Sequence, residues 1–102
     1  MGIYFTDQFS LLHFASGIVA YYWNISFIHW FLLHAIYEIL QNSAAGISFI
    51  NNKLKVWPGG KLGPDSLLNI IGDQFYGMAG WLFAHIMIHV FYRGKLYDEF
   101  AK

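Results

Sequence analysis

The chain has 102 residues, of which 57% are hydrophobic and 12% charged, whereas an ordinary water-soluble domain carries about one charged residue in four. Six basic side chains balance six acidic ones, so there is no surplus positive field to hold a nucleic-acid backbone, which argues against a nucleic-acid partner. The absence of cysteine excludes disulfides, thiolate metal sites and a cysteine nucleophile.

Charge is segregated along the chain. Thirty consecutive residues between Asp7 and Glu38, and nineteen between Asp73 and Arg93, contain no Asp, Glu, Lys or Arg. Both stretches exceed the roughly eighteen apolar residues that suggest membrane insertion. Aromatic residues make up 21% of the chain, which suits membrane interfaces. The start of the chain lacks the basic region of a signal peptide, so the first stretch reads as retained. The expectation is an all-α integral membrane helical bundle, one domain over residues 1–102, with the lipid bilayer as its surroundings.

In chain order, the first apolar stretch is longer than one crossing needs. Asn24 and Ser26 offer a turn and a cap, which predicts one helix over 7–23 and a second over 26–41. The alternative is two long helices in a hairpin, the first running unbroken through Asn24, because no Gly or Pro interrupts it there. Residues 42–64 read as a polar loop rich in Asn, Gly and Pro, containing either a short hairpin around Asn51-Asn52 or a segment lying on headgroups. Asp65 or Ser66 caps a third helix over 65–92, stopped by Arg93-Gly94, and the last eight residues read as a polar surface tail. With three transmembrane helices the basic residues divide three to three across the membrane, Lys53, Lys55 and Lys61 against Arg93, Lys95 and Lys102, so orientation is undetermined.

Polar residues inside apolar helices are costly and therefore informative. His34, Glu38 and Gln41 share one face of the second helix, and Asp65, Asn69 and Asp73 share one face of the third. If the first stretch folds back, His13 joins Glu38, Gln41, Asp65, Asn69 and Asp73 in one cluster. If it runs straight, His13 lies about 37 Å from Glu38. The cluster reads either as a structural hydrogen-bonding network or as a site in which Glu38 or Asp73 accepts a proton or binds a polar headgroup. Gly72, Gly77 and Gly80 predict close helix packing.

The pattern Glu38-x-x-Gln41 at a helix end, a polar loop, then Asp65-x-x-x-Asn69-x-x-Gly72 resembles the VanZ-like membrane proteins. His13 matches the histidine of an upstream helix in that family. The resemblance covers roughly residues 13–80. Lys61 is a loose match to the family's basic loop residue, and the family usually has about four helices. It implies a small polytopic membrane protein, the best-known relative of which is linked to glycopeptide resistance.

His85 and His89 lie four apart, and His29 falls at the same level, so these three are candidate metal or haem ligands. The stronger reading makes them interfacial anchors, with no cofactor. Trp23, Trp30, Trp81 and Tyr92 read as belt residues or fillers between helices. No serine-nucleophile or phosphate-loop pattern is present. The chain is expected to act as a membrane scaffold, or to bind a lipid or lipid-linked ligand through the polar cluster. The alternative is a structural subunit of a larger membrane assembly with protein partners, such as the inner membrane or minor capsid layer of a virion, or a supernumerary subunit of an organellar complex. An enzyme using Glu38 and Asp73 is the least favoured reading.

Overall fold

The computed structural model describes residues 2–54, 56–57, 60–61 and 63–91. They form four α-helices: α1 (Ser10–Tyr22), α2 (Phe27–Gln41), α3 (Ala44–Lys53) and α4 (Leu67–Ile86), the last continued by a π-helical turn, Met87–Phe91. Three helices start on a serine that accepts the backbone N–H three residues on: Ser26 from His29, Ser43 from Gly46 and Ser66 from Asn69. Such caps satisfy a donor that the helix itself leaves free. Between Asp65 and Ser66, and between Asn24 and Ser26, the serine takes the capping role. Asn24 turns the chain instead, with φ 64°, a left-handed conformation that asparagine tolerates better than most residues.

That turn ends α1 and returns α2 alongside it, so the unbroken first helix is not formed. It also overturns the membrane expectation. At 1.5 Å per residue α1 and α2 reach only about 20 and 23 Å, short of the ~30 Å hydrocarbon core. α4 has 20 residues, but Asn69, Asp73, Gln74 and three glycines dilute its apolar content. Among the described residues no helix is long and apolar enough to cross a membrane. The integral membrane bundle, its transmembrane helices and its membrane localisation are corrected accordingly. The charge-free runs misled because the helices they contain are shorter than the expected 7–23, 26–41 and 65–92, and a run without charge is not free of Asn, Gln and Gly.

The polar loop also differs from expectation. No hairpin forms around Asn51-Asn52; these residues lie in α3, which Ser43 caps and Gly46 seats closely against the Leu40 carbonyl. Lys55, Pro58 and Gly59 fall outside the described residues, as do the expected helix end at Tyr92, the Arg93-Gly94 stop and the carboxyl-terminal tail.

α1 packs mainly on α4, and the two run in the same direction: His13 faces Asp73, Gly17 faces Gly77, and Tyr21 meets Trp81 and His85. α2 runs the opposite way, with Trp30 donating to the Gly77 carbonyl and His34 bonding Gln74. A Cβ on Gly17 would overlap the Gly77 carbonyl, one on Gly80 the Phe14 carbonyl and one on Gly72 the Phe5 carbonyl. Indoles fill the remaining space and satisfy their N–H groups, as Trp81 does on the Ile25 carbonyl at 2.8 Å. Trp23, by contrast, is exposed.

Because backbone, not a flexible side chain, blocks the added carbon, Gly17→Ala and Gly80→Ala should each destabilise the fold by about 1–3 kcal/mol. Gly63→Ala, at a glycine with nothing within 4 Å, serves as the control. Thermal melts of the three variants check this, and equal melting temperatures would contradict the close approach.

Candidate functional site

The hairpin brings α1, the end of α2 and the start of α4 together around one buried polar cluster. His13 projects from α1 one turn before Gly17, and Asp73 from α4 one turn before Gly77, so the glycine contact sets their separation. His13 Nε2 lies 3.3 Å from Asp73 Oδ2. The other His13 nitrogen, Nδ1, lies 3.0 Å from His34 Nε2 on α2, and the two rings meet edge to face. His34 Nδ1 lies 2.7 Å from Gln74 Oε1.

Glu38 sits one turn beyond His34 and is 1% exposed. Neither of its carboxyl oxygens has a hydrogen-bond partner. One oxygen nevertheless falls in a group with an Asp73 oxygen and a His13 nitrogen, all three within 4.8 Å of one another. A buried carboxylate without a donor is costly, and the acid responds by holding its proton. Burial first, and then Asp73, towards which a protonated Glu38 can donate, push the Glu38 carboxyl up to about 9. Burial also raises Asp73, but donation from His13 and from a protonated Glu38, and the positive charge that His13 and His34 can carry, outweigh it and hold Asp73 below its ordinary value. Burial lowers His34, which favours its neutral form.

The other predicted residues lie nearby in a second network. Asn69 donates to the Tyr4 carbonyl at 2.7 Å and to Asp7 Oδ2 at 2.9 Å. Asp65 accepts from Lys61 Nζ at 2.7 Å. Asn42, at the end of α2, accepts from both Lys61 and the Asp65 backbone. Both networks border one cavity of about 890 Å³, lined by His13, His34, Gln41, Asp65, Asn69 and Asp73 together with Leu12, Val19, Trp30, Leu33, Tyr37 and Trp57. Glu38 is not part of that lining and lies behind His13 and Asp73.

Of the residues singled out from sequence, His13, His34, Glu38 and Asp73 meet directly, and Gln41, Asp65 and Asn69 share the cavity. Gly72, Gly77 and Gly80 lie at close helix contacts. His29 instead bonds its own cap, Ser26. His85 and His89 lie against each other as tilted rings with centroids 4.5 Å apart, and His85 stacks on Trp81. Among the described residues these three form no converging donor group. Sequence reasoning missed Gln74, Asp7 and Asn42. Gln74 directly follows Asp73, and its amide falls on the face turned to α2, a position that only the α2–α4 packing reveals.

No family model, curated protein or solved structure matches the chain.

The raised Glu38 carboxyl makes folding pH-dependent. The folded state holds this proton more tightly than the unfolded chain does, so the stabilisation is complete below about 4.5 and fades as pH rises towards about 9. Melting temperature should therefore fall over that window in metal-free buffer, and Glu38→Gln should flatten the slope. An unchanged slope in the variant would assign the pH dependence to another group.

Proposed function

We propose that the protein is a binding module for an amphiphilic small molecule, taken up in the cavity between α1, α2 and the start of α4. The observation that carries this reading is the make-up of that cavity. Leu12, Val19, Leu33, Trp30 and Trp57 offer an apolar wall, and His13, His34, Asn69 and Asp73 offer convergent polar groups. Its volume of about 890 Å³ lies within the ~300–1,000 Å³ of small-molecule sites. Asp7, Asp65 and Asp73 line it, and Lys61 is the one Lys or Arg among the described lining residues. That balance favours a head group that carries hydrogen-bond donors, such as an amine or a polyol, over an anionic one. The VanZ-like spacing belongs to the same proposal, because Gln41, Asp65 and Asn69 of that pattern line this cavity.

Trp30 and Trp57 report on occupancy. Titration with dodecylamine below its micellar concentration should change tryptophan fluorescence saturably, and dodecyl sulfate should bind at least about tenfold more weakly, a difference of about 1.4 kcal/mol. Ala15→Phe, at an exposed residue on the cavity wall, should weaken dodecylamine binding while leaving the fold intact. Equal binding of both amphiphiles, or no effect of Ala15→Phe, would count against the reading.

A second reading is supported by a different observation. Many large apolar side chains face outward, among them Leu11, Ile39, Val56 and Leu67, whereas among the described residues six of the buried ones are polar or charged. Extensive exposed apolar surface marks interaction sites, so we propose that other protein chains cover these helices in a larger assembly. Light scattering of the purified chain should then show self-association that Leu11→Lys and Ile39→Lys reduce. A monodisperse monomer would oppose it.

A further inference from the structure

We propose that His13, Glu38 and Asp73 form a binding site for a divalent first-row transition-metal ion such as Zn²⁺. The inference goes beyond amphiphile binding and does not depend on it. Three donors of the right kind converge, one imidazole and two carboxyls within 4.8 Å of one another. His13 Nε2 and Asp73 Oδ2 stand 3.3 Å apart. Donors at ~2.0–2.2 Å from a tetrahedral ion lie about 3.4 Å from each other, so this pair already has the spacing, and a Glu38 oxygen lies within 4.8 Å of both.

Two independent observations point to a cation. The first is Glu38 itself, 1% exposed with both oxygens lacking any donor and grouped with the other two ligands. A carboxyl in that position is satisfied by a proton or by a cation.

The second is the direction of the hydrogen-bond chain behind His13. Gln74 Nε2 donates to the Phe31 carbonyl at 2.9 Å. A carbonyl can only accept, so Gln74 must turn Oε1 towards His34, and His34 Nδ1 must carry the hydrogen at their 2.7 Å contact. A neutral His34 then accepts through Nε2, and His13 donates to it from Nδ1 across 3.0 Å. With Nδ1 committed to His34, His13 Nε2 donates to Asp73 Oδ2 only from a doubly protonated ring; in the neutral tautomer it presents a lone pair across the 3.3 Å contact. In that tautomer two acceptors face each other beside the Glu38 carboxyl, and a cation can take the place of the missing proton. Metal-bound histidines characteristically donate their other ring nitrogen to a fixed acceptor, which sets the tautomer and orients the lone pair. The relay from Gln74 through His34 provides this support from two other helices.

An imidazole ligand selects zinc, iron, cobalt or nickel over magnesium and calcium. His13 and Asp73 border the cavity and Glu38 lies behind them, so a fourth position opens towards the cavity, the arrangement of a site that exchanges water for a ligand atom.

The test uses the full chain, free of amphiphile, with Zn²⁺ and Co²⁺ as probes and Mg²⁺ as control. Calorimetry should give one Zn²⁺ per chain, and Co²⁺ should develop the visible absorption of a low-symmetry site. Glu38→Gln, close in shape to the native residue, should weaken Zn²⁺ binding at least tenfold. Gln74→Leu, which removes the relay's anchor without removing a ligand, should weaken it by about 10- to 100-fold and shift the Co²⁺ spectrum. His29→Gln and His85→Gln should leave binding unchanged. Circular dichroism confirms the fold of each variant, and His13→Gln replaces Glu38→Gln if the latter does not fold. Binding of Mg²⁺ as tight as Zn²⁺, Zn²⁺ affinity unaltered in Glu38→Gln or His13→Gln, or its loss in the His29 or His85 variants would overturn the proposal. No Zn²⁺ binding at all would mean that a proton satisfies the cluster, and the amphiphile reading would be unaffected.

Discussion

The backbone contact between α1 and α4 is the constraint on which the rest of the structure depends. Gly17 rests on the Gly77 carbonyl and Gly80 on that of Phe14, with no room for a methyl group at either place. His13 and Asp73 each lie one turn before a member of the first pair, on the same helical faces. Because side chains tilt towards the helix amino terminus, two parallel helices in such close contact bring these residues together just above it. The 3.3 Å separation of His13 and Asp73 is thus a consequence of main-chain packing. α2 then closes the arrangement from the opposite direction, and its His34 and Glu38 reach the same level because Trp30 is anchored on the Gly77 carbonyl.

The cluster assembled in this way does not simply stabilise the fold. Burying a carboxyl without a donor opposes folding, and two acids sharing a site oppose it further. The structure divides the load unequally: Asp73 has the His13 imidazole 3.3 Å away, whereas Glu38 receives no hydrogen bond and keeps a proton. A network meant only to hold helices together would satisfy both acids, as Lys61 and Asn42 satisfy Asp65 and its backbone nearby. The two networks therefore differ in kind, although they border one cavity. That around Asp65 is closed, and in the other no donor reaches the Glu38 carboxyl.

Much of this site was legible in the sequence, because helical periodicity fixes which residues share a face. The stripe of Asp65, Asn69 and Asp73 and that of His34, Glu38 and Gln41 follow from i+3 and i+4 spacing alone. The fold-back at Asn24 to Ser26, which determines whether His13 joins them, follows from turn chemistry. What was not legible depended on tertiary packing. α3 escapes notice because its Asn and Gly residues read as a loop, yet Ser43 caps it and Leu40 accommodates Gly46. Gln74 has no pattern of its own, and its importance lies in which atom of its amide faces His34. The membrane reading failed for a related reason: helices expected over 7–23, 26–41 and 65–92 form only over Ser10–Tyr22, Phe27–Gln41 and Leu67–Ile86, each too short or too polar for a crossing.

The placement of polar groups separates those a molecule in the cavity can touch from Glu38. Lys61, Asp65 and Asn69, whose hydrogen bonds are already made, line the cavity together with His13 and Asp73, whereas Glu38 does not. Glu38 can influence such a molecule only through the charge it presents to Asp73 and His13. Whether that position holds a proton or shares a cation changes the net charge of the inner cavity by at least one unit, in surroundings where charges interact more strongly than in water. For the proposed amphiphile, the choice of head group at His13 and Asp73 is thereby set from behind, by a residue the ligand does not touch.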